Sequence, residues 1–171
     1  RYKLGDRKDD TRGIKLIPGS DNEVKEGVGR MKGFHARRVR FLADELSDLS
    51  HKLVDAAKSN LFTNPDFRMI ATFNPSSYFD PAGVFSEPED GWGSVDLLRC
   101  DGWKTKLGWC IRFDGDTSPN VLLQRAGLPA KWEGLLMLPS YLEAERNNSA
   151  TRFMEQYRGC WSETGHSDSI Y

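Results

Sequence analysis

Two adjacent carboxylates, Asp44 and Glu45, close the short apolar run Val39-Arg40-Phe41-Leu42-Ala43. A second apolar run begins at Arg68, ends in the hydroxyl of Thr72 and the amide of Asn74, and is broken by Pro75. An Asp and a Glu delivered at the C-terminal end of a buried strand can hold a divalent cation and activate a water. That is the chemistry of nucleotide hydrolysis, because ligands of open α/β sheets sit outside the carboxyl ends of the strands. The same acids also suit the solvated end of a core strand or helix that does no chemistry.

Other residues with chemical potential are less well placed. Asp114-Gly115-Asp116 puts two carboxylates two residues apart, which could share a cation, but Asp-Gly pairs are ordinary turn formers and no further ligands follow at calcium-loop spacing. Cys100, Cys110 and Cys160 match no zinc or redox spacing and read as buried or incidental thiols. His35, His51 and His166 form no cluster in the sequence. The glycines between Gly27 and Gly33, with Arg30 and Lys32 among them, do not make a phosphate-binding loop. Such a loop needs four residues between its glycines and then Gly-Lys-Ser/Thr.

The elements that must position Asp44, Glu45, Thr72 and Asn74 follow from periodicity. Leu46, Leu49, Leu53, Ala56, Ala57 and Leu61 recur at helical spacing between the two apolar runs, which predicts a helix over Leu46 to Phe62. Strand, helix, strand is a βαβ unit with both polar ends on one sheet edge. Upstream, Gly13 to Gly19 reads as a short strand closed by Pro-Gly, and Ser20 to Glu23 as turn and cap residues. Downstream, 76–93 reads as a surface loop anchored by aromatics. Ser94–Leu98 and Leu107–Phe113 read as strands flanking an Asp101-Gly102 turn. A helix opens at Ser140 with a capping box, and another runs from near Ser149 to Gly159.

An apolar strand closed by Asp-Glu, a helix, and a strand ending Ala-Thr-x-Asn-Pro resembles the second half of the ATPase domain of phage terminase large subunits. Arg112–Asn120 and Ala150–Trp161 look like the segments that close that domain, so the resemblance runs from about Gly13 to Trp161. It implies an α/β fold with a parallel-sheet P-loop NTPase-type core of the ASCE/RecA-like class, incomplete at its N-terminal side. It also implies the roles of a Walker B pair and a coupling motif. Asp44 would hold Mg²⁺ through water, Glu45 would orient or deprotonate the attacking water, and Thr72 and Asn74 would sense the γ-phosphate of ATP. Arg30 or Lys32 would supply the cation associated with a neighbouring subunit's γ-phosphate, although this chain has Lys32-Gly33 where the family often has Arg-Gly. The implied partners are double-stranded DNA, a portal protein, a small terminase subunit and further copies in a homo-oligomeric ring, working in the host cytoplasm without a membrane.

Composition fits that reading without requiring it. A length of 171 residues suits one domain, and charged residues at 29% with net charge −1 suggest neither a nucleic-acid coat protein nor a membrane-surface protein. Basic residues are nonetheless concentrated ahead of the acidic pair, with twelve Lys/Arg against six Asp/Glu in residues 1–40. No signal peptide or apolar run of membrane-spanning length is present in the sequence. The expected organisation is a charged lead-in over 1–12, the ATPase-like part over 13–161, and the start of a linker toward a nuclease domain over 162–171, all within a longer chain. Without a phosphate-binding loop, residues 1–171 alone are expected not to hydrolyse ATP. Two alternatives stay open: a helicase-like P-loop ATPase fragment, and a non-enzymatic α/β interaction module.

Overall fold

Strand β1, Val39–Ala43, alternates, with Val39 and Phe41 half-buried and Ala43 buried on one face and Arg40 and Leu42 exposed on the other. It pairs in parallel with β2, Phe67–Ala71, in the register Val39↔Phe67 through Ala43↔Ala71. Between them, after a 3₁₀ turn at Leu46–Asp48, runs helix α1, His51–Thr63. The predicted βαβ unit is therefore present. The computed structural model describes Ile17 and residues 37–161, apart from the side chains of 60–63. The predicted strand over Gly13–Gly19 (Ile17 aside), the cap at Ser20–Glu23, the glycine loop with Arg30 and Lys32, the lead-in 1–12 and the tail 162–171 lie outside the described residues.

Leu53, Ala56 and Ala57 of α1 form a buried cluster against which Ile17, Phe41 and Leu49 pack. Strand alternation sends Leu42 and Ile70 to the opposite face of the sheet, where they are 75% and 66% exposed. Asp66 fixes the entry into β2, accepting from Arg40 at 2.9 Å and pairing with Arg38 at 3.0 Å. The Arg40 hydrogen bond holds the Asp66 carboxyl below its ordinary value.

The chain divides into two compact units, with the boundary between Phe73 and Asn74. In the second unit, helix α2, Pro81–Ser86, occupies part of the stretch predicted as loop. Asp80 caps it by accepting from the Gly83 amide at 2.7 Å, and Pro81 sits in the first turn, where its missing N–H costs nothing. The aromatic anchoring expected for this stretch is present: Tyr78, Trp92, Trp103 and Trp161 pack ring against ring, and the Trp103 indole donates to the Ser86 carbonyl at 2.6 Å.

Of the two strands predicted in this unit, Leu107–Phe113 contains an observed one and Ser94–Leu98 does not. Antiparallel β3, Gly102–Thr105, and β4, Gly108–Ile111, form a hairpin turned at Lys106-Leu107. Thr105 Oγ1 accepts from the amides of Leu107 and Gly108 and so takes the turn that the sequence reading assigned to Asp101-Gly102. Ser94–Leu98 is not a strand, because Asp96 folds that stretch back, accepting from the Leu98 amide through its side chain and from the Arg99 and Cys100 amides through its carbonyl.

Three helices complete the unit: α3, Pro119–Arg125; α4, Leu138–Asn147; and α5, Ala150–Tyr157. Val121, Tyr141, Ala144 and Phe153 form their shared core. Helix α4 starts two residues before the expected capping box, because Gln124 Oε1 accepts from the Leu138 amide at 2.8 Å and does the capping instead. Helix α5 starts as predicted, with Ser149 accepting from the Arg152 amide, and it stops where Gly159 turns left-handed at φ 61.

Candidate functional site

The pairing of β1 with β2 continues past both strand ends and builds the site. Thr72 N–H donates to the Ala43 carbonyl at 2.9 Å, and Leu46 N–H donates back to the Thr72 carbonyl at 3.0 Å. The Thr72 hydroxyl donates to Asp44 Oδ1 at 2.7 Å. Asp44 and Glu45 are exposed between two buried residues, Ala43 and Leu46. Only these two residues are available to turn the chain out of the strand and return Leu46 to the core. Glu45 makes that turn in the left-handed region, at φ 49 and ψ 56, a conformation that costs a residue with a Cβ roughly 1–2 kcal/mol. Its side chain makes no capping hydrogen bond and is left toward solvent.

Of the residues singled out in the sequence, the structure brings Asp44, Glu45 and Thr72 together. Asn74 is exposed and opens the second unit, whereas Arg30 and Lys32 lie outside the described residues. Among the described residues no group of three or more His, Cys, Asp or Glu is arranged to hold a metal. Magnesium asks for less: one or two carboxylates, several waters and the phosphates of a substrate suffice. Asp44 Oδ2 and the Glu45 carboxylate fit that donor set.

The second acidic pair is built differently. Asp114 is buried and accepts four hydrogen bonds: from Arg158 Nε at 2.7 Å and the Asp116 amide at 2.9 Å on Oδ1, and from Arg112 Nη1 at 2.8 Å and Arg158 Nη2 at 3.0 Å on Oδ2. Burial pushes its carboxyl up, but the hydrogen bonds from Arg158 and Arg112 outweigh burial and hold it below the ordinary value. Arg112 also donates to the carbonyls of Cys100 and Arg158. Asp116 pairs with Arg125 at 2.7 Å, which keeps its carboxyl low, and Tyr141 is pushed up to about 12 by burial and by Asp116. With its acceptor sites filled, Asp114 has no lone pair to offer a cation.

Cys110 and Cys160 sit in settings that disfavour the thiolate. Burial pushes the Cys110 and Cys160 thiols up, and Cys160 Sγ donates to the Leu97 carbonyl. His51 is exposed, and His35 and His166 lie outside the described residues. The sequence reading missed the Thr72 bridge and the left-handed Glu45. A rigid turn could have been suspected from the two-residue spacing between apolar Ala43 and Leu46, but its hand could not. No helix among the described residues is long and apolar enough to cross a membrane. Comparison with family models, with curated proteins and with solved structures finds no match for the chain.

Proposed function

We propose that Asp44 and Glu45 are the metal-holding and water-activating acids of a nucleoside-triphosphate hydrolase, within an ATP-driven DNA-packaging motor of the terminase large-subunit kind. The observation that carries this reading is the geometry at the ends of β1 and β2. Two parallel strands finish side by side, and their polar ends, Asp44 and Thr72, meet at 2.7 Å with an unengaged Glu45 beside them. Parallel strands place ligands at this edge. The exposed Leu42 and Ile70 add support, since a parallel sheet of a nucleotide-hydrolase core carries apolar residues on both faces.

In this reading Asp44 would hold Mg²⁺ through a water, and the ion would supply positive charge against the phosphates of the substrate. Glu45 aligns and deprotonates the water that attacks the γ-phosphate. The chain supplies no phosphate-cradling loop of its own between residues 1 and 171, so the loop and its lysine must come from sequence beyond it. A ring of copies, duplex DNA, a portal and a small subunit belong to the same proposal, as does a cytoplasmic setting.

The test is Mg²⁺-dependent ATP turnover by a chain extended upstream of Arg1. Glu45→Gln should lower kcat by about 10²-fold or more, the usual contribution of a general base. Turnover equal to wild type in that variant would remove Glu45 from the chemistry. A second reading, a non-enzymatic interaction module, is favoured by one observation: Trp109, Ile111 and Phe113 alternate along β4 and its extension, 75%, 67% and 85% exposed. Under that reading Asp44→Ala and Glu45→Ala would leave every partner interaction unchanged, whereas Trp109→Ser would not.

A further inference from the structure

The Thr72 hydroxyl carries one proton. A phosphate oxygen is an acceptor, so a threonine that senses phosphate directly must donate that proton to it. Here the proton goes to Asp44 Oδ1 at 2.7 Å. The carbonyl of the same residue accepts the Leu46 amide at 3.0 Å, on the other side of Glu45. Glu45 is thus flanked by two bonds that end on one residue of the neighbouring strand, and between them it holds a backbone conformation that it would not choose unaided.

We infer that Thr72 is a positioning residue for the Asp44–Glu45 turn, acting through the Asp44 carboxylate and the Leu46 amide. Its functional consequence rests on the hydrolase reading, but the clasp itself does not. The side-chain bond fixes which Asp44 oxygen faces outward, leaving Oδ2 for a cation. The main-chain bond fixes the direction in which Glu45 leaves the strand. Both geometric demands on a hydrolytic site, an oriented metal ligand and an aimed base, then depend on one residue, through its hydroxyl and its carbonyl, that need not touch the substrate. Buried Leu46, 1% exposed, closes the turn and prevents it from relaxing outward.

Two substitutions separate this role from a phosphate contact and from simple support of the fold. Thr72→Val keeps the β-branched shape and the carbonyl but removes the hydroxyl, and Thr72→Ser restores the hydroxyl. In the 171-residue chain the Leu46 amide keeps its bond to the residue-72 carbonyl in Thr72→Val, but its exchange should speed up about tenfold because the turn is no longer braced through the Asp44 carboxylate, and return to the wild-type rate in Thr72→Ser. The urea midpoint of the whole protein should move little in either variant. Unchanged exchange in Thr72→Val would overturn the clasp, as would faster exchange that Thr72→Ser does not correct.

In the turnover assay of the extended chain, Thr72→Val should lower kcat about tenfold or more with KM for Mg·ATP unchanged, because orientation rather than binding is lost. A raised KM with kcat retained would place the hydroxyl on the phosphate and overturn the positioning role. If turnover proves independent of Glu45, the hydrolase reading fails on its own, and the exchange result still decides the clasp.

Discussion

Two acidic pairs of similar composition, Asp44-Glu45 and Asp114-x-Asp116, occupy opposite chemical states in this protein. Asp114 is buried, and every acceptor site it has is filled by Arg112, Arg158 and a backbone amide. Asp116 is joined to Arg125. Asp44 is exposed and takes one hydrogen bond from a neutral hydroxyl, and Glu45 stands free on a strained turn. Acids enclosed by guanidinium groups hold the fold together, because their charge is neutralised within the protein. Acids left with open valences at the carboxyl ends of parallel strands are available to a cation and a water.

The largest effect is expected at Asp114. Asp114→Ala should cost about 3–5 kcal/mol in urea unfolding, because it leaves the buried Arg112 guanidinium with only the exposed Asp101 carboxylate, at 3.2 Å, and Arg158 half-buried without its acid. A loss under about 1 kcal/mol would mean that the two arginines find other partners. Acid should act through the same group. The folded-state pKa of Asp114 is lowered, and so is that of Asp116. Their contribution is therefore complete above the unfolded value of about 3.9 and is lost as pH falls through the lower folded value. Urea midpoints should drop steeply below about pH 4 in the wild type and less steeply in Asp114→Asn. A smaller effect is expected at Asn120, fully buried, whose side chain accepts the Lys131 and Trp132 amides and donates to the Trp132 carbonyl. Asn120→Ala should destabilise by about 1–3 kcal/mol, measured the same way, through groups left without partners. Smallest of all, and opposite in sign, Glu45→Gly should raise stability by up to about 1 kcal/mol, since glycine adopts φ 49 without strain.

The half of the fold nearest the candidate site was legible because its signals are local. Alternation in Val39–Ala43, helical spacing through Leu53, Ala56 and Ala57, and the Asp-Glu stop lie within about thirty residues of one another. Short parallel crossovers leave little freedom in how such pieces join. The second unit was less legible wherever a side chain overrode propensity. Thr105 and Asp96 set the hairpin turn and abolished a predicted strand, and Gln124 replaced an expected capping box. Asp80-Pro81 did carry a readable helix start, a capping acid followed by proline at the first turn, that the Pro and Gly content of the stretch obscured. The Arg112–Asp114–Arg158 cluster had no sequence signal at all, because its arginines come from a strand end and a helix end 46 residues apart.

The most direct test of the contrast between the two acidic pairs is the urea-unfolding midpoint of the double variant Asp44→Asn/Glu45→Gln. Both substitutions keep shape and an oxygen acceptor while removing charge. If these acids are held for chemistry rather than for the fold, the variant unfolds within about 0.5 kcal/mol of wild type, as for a surface change away from structural features. A loss of about 2 kcal/mol or more would show that Asp44 and Glu45 stabilise the fold as Asp114 does, and the site would lose its claim to be free for a metal and a water.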